Sequence, residues 1–399
     1  MLTKKPILTF FLLCALTLAA FSCNGTKGTQ RGETEDSITA EPQEQYLRLL
    51  FAGDLMQHGP QISAALQPDG TYNYEECFAK VRPEIERADI AIANFEVTLG
   101  GKPYSGYPKF SAPDEYLQAS KDAGFDILLT ANNHCLDSRR RGLERTIMMM
   151  DSLKIPHIGT YVNQEEHDRN YPYLLECNGF RIALLAFTYG TNGLLVEPPN
   201  VVNYMDTTEI ADDIEKAKQM NPDVIIALPH WGIEYETLPS SEQQEMAQWL
   251  LDHGVNHIIG GHPHVAQPLE LRNNGQNLVA WSMGNLISNQ SKPNTYGGYM
   301  VRMEFIKRDS VTTLSDANYM LYWVSRPHDN GFRHQYRIIS VDESDSLLTI
   351  NELKHRNAIR ESMRQLMRNH NAGNIKEYIF ETPPEAINDN NECSECTKQ

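Results

Sequence analysis

Between residue 46 and about residue 285 the chain alternates short apolar runs with amphipathic stretches, and this alternation constrains the fold more than any other feature. Leu47–Leu55, Asp89–Val97, Asp126–Ala131, Asp223–Pro229, His257–Gly260 and Leu278–Met283 read as strands, because their apolar runs are short and end in polar or turn residues. Glu75–Glu86, Asp114–Ala123, Arg140–Leu153, Thr208–Gln219 and Glu242–His253 read as helices between them. Leu174–Cys177 and Arg181–Phe187 flank Asn178-Gly179, a strong hairpin signal. Strands alternating with helices imply an α/β fold of stacked layers around a largely buried sheet.

Polar residues collect where these strands end. Gly53-Asp54 closes the first and Asn94-Phe95-Glu96 the second. Asn132-Asn133-His134 follows the third, and His230-Trp231-Gly232 and Gly261-His262-Pro263-His264 follow two later ones. In open α/β sheets ligands bind beyond the carboxyl ends of strands. Five segments are therefore expected to send donors to one edge.

The candidate metal ligands are Asp54, Glu96, Asn133, His230, His262 and His264. Carboxylate, amide oxygen and imidazole together suit Mn, Fe or Zn, with one or two divalent ions per chain. One carboxylate can bridge two ions about 3.5–4 Å apart. Pro263 stiffens the segment between two imidazoles that can turn to one pocket. His134, with Asp137 nearby, is a candidate proton donor. Each motif alone reads as readily as a turn or as packing; their conjunction points to a shared polar site.

The termini carry a different message. Lys4 and Lys5 precede an apolar run from Ile7 to Ala20, and Ala20-Phe21-Ser22-Cys23 follows. The run is short for a membrane span and has the layout of an export signal. Small residues before Cys23 make it the expected lipidation site, with plain secretion as the alternative. The organisation expected is a signal over residues 1–22, a flexible tether over 23–45, a main domain over 46–310, a C-terminal extension packed on it over 311–380, and a disordered tail over 381–399. Within that extension 351–371 reads as a charged helix. Cys77, Cys135 and Cys177 are expected to be buried thiols, and Cys393 and Cys396 to lie in the tail. The formal net charge of -17 argues against nucleic acid as a partner. Lys102, Lys109 and Arg139-Arg140-Arg141 could form a local basic patch at the site rim, or a solvated helix face.

Residues 48 to about 305 resemble the CapA-type family of bacterial capsule proteins, which act in poly-γ-glutamate capsule synthesis. The resemblance rests on Gly53-Asp54-Leu55-Met56, Asn94-Phe95-Glu96, Asn132-Asn133-His134-Cys135-Leu136-Asp137, His230-Trp231-Gly232-Ile233-Glu234-Tyr235, Gly261-His262-Pro263-His264-Val265 and Ser282-Met283-Gly284-Asn285, in that order. It implies a calcineurin-like metallophosphoesterase fold of four layers, with helices flanking a β-sandwich. It also implies Asp54 and His264 as first-metal ligands, Glu96 as the bridge, and Asn133, His230 and His262 as second-metal ligands. His134 becomes the catalytic histidine oriented by Asp137, with Trp231, Glu234 and Asn285 at the substrate. The chain departs from the wider superfamily at its first motif, where Asp-x-His is usual. Here Met56 stands in the histidine's place, and His58 sits at a different offset. The function implied is a metal-dependent hydrolase or polymer-processing enzyme of the cell envelope, lipid-anchored to the membrane. Its substrate would be an anionic polymer or a phosphate ester, and the capsule synthesis machinery a partner. A non-catalytic polymer-binding protein on a degenerate site is the alternative, and purely structural histidines a third reading.

Overall fold

The computed structural model describes residues 44–380; the signal segment, Cys23, the tether up to residue 43 and the tail over 381–399 lie outside the described residues. Two sheets dominate it. The first runs in the order Arg337–Ser340, Val311–Ser325, Gly297–Arg308, Glu44–Leu55, Ile90–Phe95, Ile127–Leu129 and His157–Ile158. Asn285–Ile287 also pairs with Glu44–Leu55, and Lys376–Glu377 with Val311–Ser325. The second runs in the order Leu269–Arg272, Asn277–Ala280, His257–Ile259, Val224–His230, Phe180–Thr188 and Tyr173–Cys177.

Side-chain alternation explains the stacking. Leu47, Leu49 and Phe51 of the strand Glu44–Leu55 join a core cluster with Ile182, Leu184, Ile226 and Leu228 of the second sheet. Leu50 and Ala52, one residue out of phase, join a cluster with Phe78, Val81, Tyr116, Leu117 and Met150 from the helical side. Helices Thr207–Gln219 and Ser241–Asp252 cover the second sheet through Ile210, Ile214, Ala247 and Leu250. The result is helices, sheet, sheet, helices, the four-layer α/β arrangement expected from the resemblance. Each fully buried Leu, Ile or Phe contributes about 1.5–3 kcal/mol to holding these layers together.

Several elements differ in detail from expectation. The segment 75–86 forms two short helices, Glu75–Phe78 and Arg82–Ile85. Pro83 lies at the start of the second, and without an N–H it cannot continue the helical ladder from the first. The strand expected over Leu278–Met283 stops at Ala280, and the chain turns through Gly284, at φ +74, to start Asn285–Ile287. Asn178 and Gly179 both have positive φ, as a type I′ hairpin requires, and they join Tyr173–Cys177 to Phe180–Thr188.

The segment 311–340 supplies two strands that continue the first sheet. The helix Ile350–His370 opens on a capping box, Thr349 accepting from the Glu352 N–H and the Glu352 carboxylate accepting from that of Thr349. It buries Ile359, Met363 and Met367, spaced four apart, in the main core. Among the described residues, no helix is long and apolar enough to cross a membrane. Cys77 and Cys135 are buried free thiols, and Cys177 is half-buried.

Candidate metal centre

The expected ligands converge where parallel strands of both sheets end. Glu44–Leu55, Ile90–Phe95 and Ile127–Leu129 run parallel in the first sheet. Phe180–Thr188, Val224–His230 and His257–Ile259 run parallel in the second. The site therefore lies across the ends of two stacked sheets, not along one open edge.

Local backbone devices aim the side chains. The register of Glu44–Leu55 against Ile90–Phe95 shifts between Ala52 and Asp54, where Gly53 sits. Such irregularities re-aim a strand end. A Cβ at Gly53 would lie 1.8 Å from the Gly284 carbonyl oxygen, so glycine alone permits this approach. Asp54 N–H then donates to that carbonyl at 3.1 Å. A Cβ at Gly261 would come within 3.1 Å of Asp54 Oδ1. His262 and His264 have φ of +100 and +60, the left-handed region that side chains with a Cβ rarely adopt. Strain of this kind persists where surroundings impose it, as at ligand sites.

Two ligand triads result. Ligand atoms of Glu96, His230 and His262 lie within 4.8 Å of one another, as do those of Asp54, Glu96 and His264. All five residues are buried. Glu96 Oε1 is 3.6 Å from His230 Nε2 and 3.8 Å from His264 Nε2. Asp54 Oδ2 is 3.3 Å from His264 Nδ1. Asn133 Oδ1 lies 2.9 Å from His230 Nε2, which brings the sixth expected ligand to the same place. Asp54 Oδ2, Glu96 Oε1 and His262 Nδ1 are buried without a hydrogen-bond partner. Leaving such atoms unpaired costs about 1–3 kcal/mol each, so the donor set fits one or two divalent ions better than it fits a packed interior.

The two carboxylates favour positive charge at this point. Burial pushes the His264 imidazole down, but the Glu96 and Asp54 carboxylates outweigh it and hold it up at about 9. Burial would raise Asp54, yet the His264 imidazole 3.3 Å away and the nearby His230 bring it below the usual carboxylate range. His262 is pushed well down, first by burial and then by His230, His264 and His134.

His134 Nδ1 meets Asp137 Oδ2 at 2.8 Å, which leaves Nε2 as its other polar atom. The same Asp137 oxygen accepts the Phe110 N–H at 2.7 Å, and the Phe110 ring lies edge-on to His134 at 4.6 Å.

The remaining expected residues take other places. Trp231 is 1% exposed and stacks on Trp281, its indole N–H donating to the Trp281 carbonyl, so its position is one of packing. Asn285 is fully buried; its Oδ1 lies 3.0 Å from His264 Nδ1 and its amide donates to Gln290 and the Thr295 carbonyl. It orients His264. Glu234 is exposed. Met56 packs in the helical-side cluster, so its side chain offers nothing to an ion. His58 joins neither triad, and its Nδ1 is engaged by Gln61 at 3.1 Å and by the Asn289 N–H at 3.2 Å. Arg139, Arg140 and Arg141 are exposed, and Arg140 pairs with Glu144 at 2.8 Å.

Three residues of the site escaped the sequence reading. Asn94 Nδ2 donates to Asp54 Oδ1 at 2.7 Å and to Glu96 Oε2 at 3.3 Å, and lies 3.3 Å from His230 Nδ1. Asn132 Nδ2 holds Asn94 in turn, donating to the Asn94 Oδ1 at 3.1 Å and also to the Phe95 carbonyl. Tyr189 places its ring 4.5 Å from that of His262 and is 43% exposed. It directly follows the strand Phe180–Thr188, a strand end of the same kind as the others.

Residues 48–290, more than half of the chain, match the family of the bacterial capsule synthesis protein PGA_cap. The chain belongs to that family. Curated relatives agree. A capsule biosynthesis protein CapA of Bacillus anthracis is 28% identical over 319 residues, covering 77% of this chain and 75% of its own. The PGA biosynthesis protein CapA of Bacillus subtilis is 26% identical over 322 residues, covering 76% and 78%. Among solved structures, the calcineurin-like phosphoesterase YfkN of Bacillus subtilis aligns with a TM-score of 0.42 and 15% identity, covering 82% of this chain and 99% of its own. The resemblance drawn from the six motifs is thus borne out at the level of the PGA_cap family.

Proposed function

We propose that this PGA_cap-family protein is a divalent-metal hydrolase of the cell envelope, cleaving backbone bonds in an anionic polymer such as poly-γ-glutamate. The observation that carries the reading is Glu96, shared by two buried ligand triads. Asp54, Glu96 and His264 would hold one ion; Glu96, Asn133, His230 and His262 would hold a second. Bound ions supply Lewis acidity toward the scissile group and toward water. The rest falls to this chain's own side chains. Asp137 fixes the tautomer and tilt of His134 through Nδ1. His134 Nε2 then delivers a proton to the departing atom, a role worth about 10²–10⁴-fold in rate. Asn285 and Asn94 hold His264, Asp54 and Glu96 in place. Tyr189 offers a half-exposed aromatic wall beside His262.

The capsule and PGA biosynthesis named for the relatives supports an envelope setting and a polymer substrate. Export and anchoring at Cys23 complete the proposal. Replacing Cys23 by Ala should release the protein from membranes, and a variant that stays membrane-bound after a salt wash would remove the anchor.

A second reading keeps the polymer and drops the chemistry. Its support is Met56, whose burial in apolar packing leaves the first triad without the usual additional ligand. Purified chain loaded with Mn or Zn separates the two on γ-linked glutamate polymer, a phosphodiester and a phosphomonoester. The hydrolase reading expects new chain ends from the polymer, abolished by chelator. Polymer bound with its length unchanged, and both esters untouched, would establish the binding reading in its place.

A further inference from the structure

A second cluster of ligand atoms lies away from the centre described above. Asp151, near the C-terminal end of the helix Arg139–Ser152, faces His157 at the start of the edge strand His157–Ile158. Glu166, in the first turn of the helix Gln164–Asn170, completes the group. His157 Nε2 stands 3.6 Å from Asp151 Oδ1 and 3.9 Å from Glu166 Oε1, and the three atoms lie within 4.8 Å of one another. The spacing is too wide for hydrogen bonds. Ligands of a tetrahedral zinc ion, each about 2.1 Å from the metal, stand about 3.4 Å apart. The two distances to His157 exceed that spacing by about 0.2 and 0.5 Å, so the three side chains would move inward to close around an ion.

The surroundings suit an ion more than an ion pair. The His157 side chain is 7% exposed and turns its Nε2 toward two carboxylates. Glu166 is pre-oriented, because its other oxygen accepts the Val162 N–H at 2.6 Å and leaves Oε1 for the cluster. Asp151 and His157 border a cavity of about 510 Å³, through which water could complete a coordination shell. Arg169 and Arg181 also line that cavity, but they pair with Glu165 and Glu176.

We propose that Asp151, His157 and Glu166 form a zinc site, separate from the main centre, that clips the C-terminal end of the helix Arg139–Ser152 to the edge of the first sheet. The helix begins directly after the segment carrying His134 and Asp137, so the clip would steady the far end of the element that follows the proton-donating pair.

Zinc titration of the full chain, with metal per chain counted by mass spectrometry and thermal unfolding followed in parallel, tests this. Asp151→Asn and Glu166→Gln should each raise the zinc concentration needed for half-saturation of one equivalent at least about tenfold. They should also shrink the zinc-induced rise in Tm. His262→Ala should lower metal at the main centre and leave this equivalent in place. The Asp151 side chain is 64% exposed, so Asp151→Asn keeps the fold even where a variant at buried His157 fails. An unaltered zinc count and affinity in both Asp151→Asn and Glu166→Gln would overturn the site and leave an ion-pair cluster.

Discussion

His134 Nδ1 lies 2.8 Å from Asp137 Oδ2, and both side chains are at most 5% exposed. Asp137 also accepts the Phe110 N–H, so its carboxylate is held from two sides. His134→Asn should therefore cut turnover by about 10²–10⁴-fold while metal per chain stays unchanged. Asp137→Asn should cost turnover as well, because the amide can present N–H where the imidazole needs an acceptor. Steady-state rates with parallel metal analysis check both. Metal loss in His134→Asn equal to that in His262→Ala would make His134 a ligand.

Asn94 is buried, and its amide bonds the Asp54 and Glu96 carboxylates and lies beside His230. Asn94→Leu keeps the size and removes the donors. It should weaken metal binding by about 10–100-fold without unfolding the chain. Chelator competition gives the affinity, and a value equal to that of the unaltered protein would reduce Asn94 to packing.

Asn94 also shows where sequence reading stops. Asn94 on the strand Ile90–Phe95 and Glu96 just past its end are two apart and reach the same site, but only the carboxylate announces itself as a ligand. The layers, the hairpin at Asn178-Gly179 and the convergence of strand ends were legible because periodicity and turn chemistry are local. That convergence comes from two stacked sheets, and stacking is a long-range property that no local pattern encodes. The resemblance places Trp231 at the substrate, whereas the second sheet turns it toward Trp281. Tyr189 is not legible, because Arg181–Phe187 reads as half of a hairpin and nothing local marks the far end of that strand as part of the site.

Backbone strain at His262 yields an inverted stability order. Its φ of +100 suits glycine and penalises every residue with a Cβ. Strain of this kind costs about 1–3 kcal/mol, partly offset by glycine's greater freedom in the unfolded chain. Without metal, His262→Gly should be more stable than His262→Ala by roughly 1 kcal/mol. Denaturant melts of the two variants in chelator measure the difference. Alanine as the more stable of the two would show that the backbone relaxes once the ring is gone.

His257 supplies a pH dependence independent of the metal centre. It is 2% exposed in the second sheet, its ring edge-on to Phe305 at 5.5 Å, and its Nδ1 accepts the Leu278 N–H at 3.0 Å. Burial pushes the imidazole down to about 3 from its ordinary 6.5. The folded protein therefore holds this ring neutral while the unfolded chain protonates it. The stability this contributes is full above pH 6.5 and is lost as pH falls from there toward 3. Between pH 7 and pH 5 the loss is about 2 kcal/mol. His257→Gln keeps an acceptor for Leu278 and removes the titration, so its unfolding free energy should fall about 2 kcal/mol less over the same interval. Groups at the metal centre titrate alike in both proteins and cancel in the comparison. Denaturant unfolding of each at pH 7 and pH 5 gives the four values required, and parallel declines in the two proteins would mean that the His257 pocket opens to water before the fold is lost.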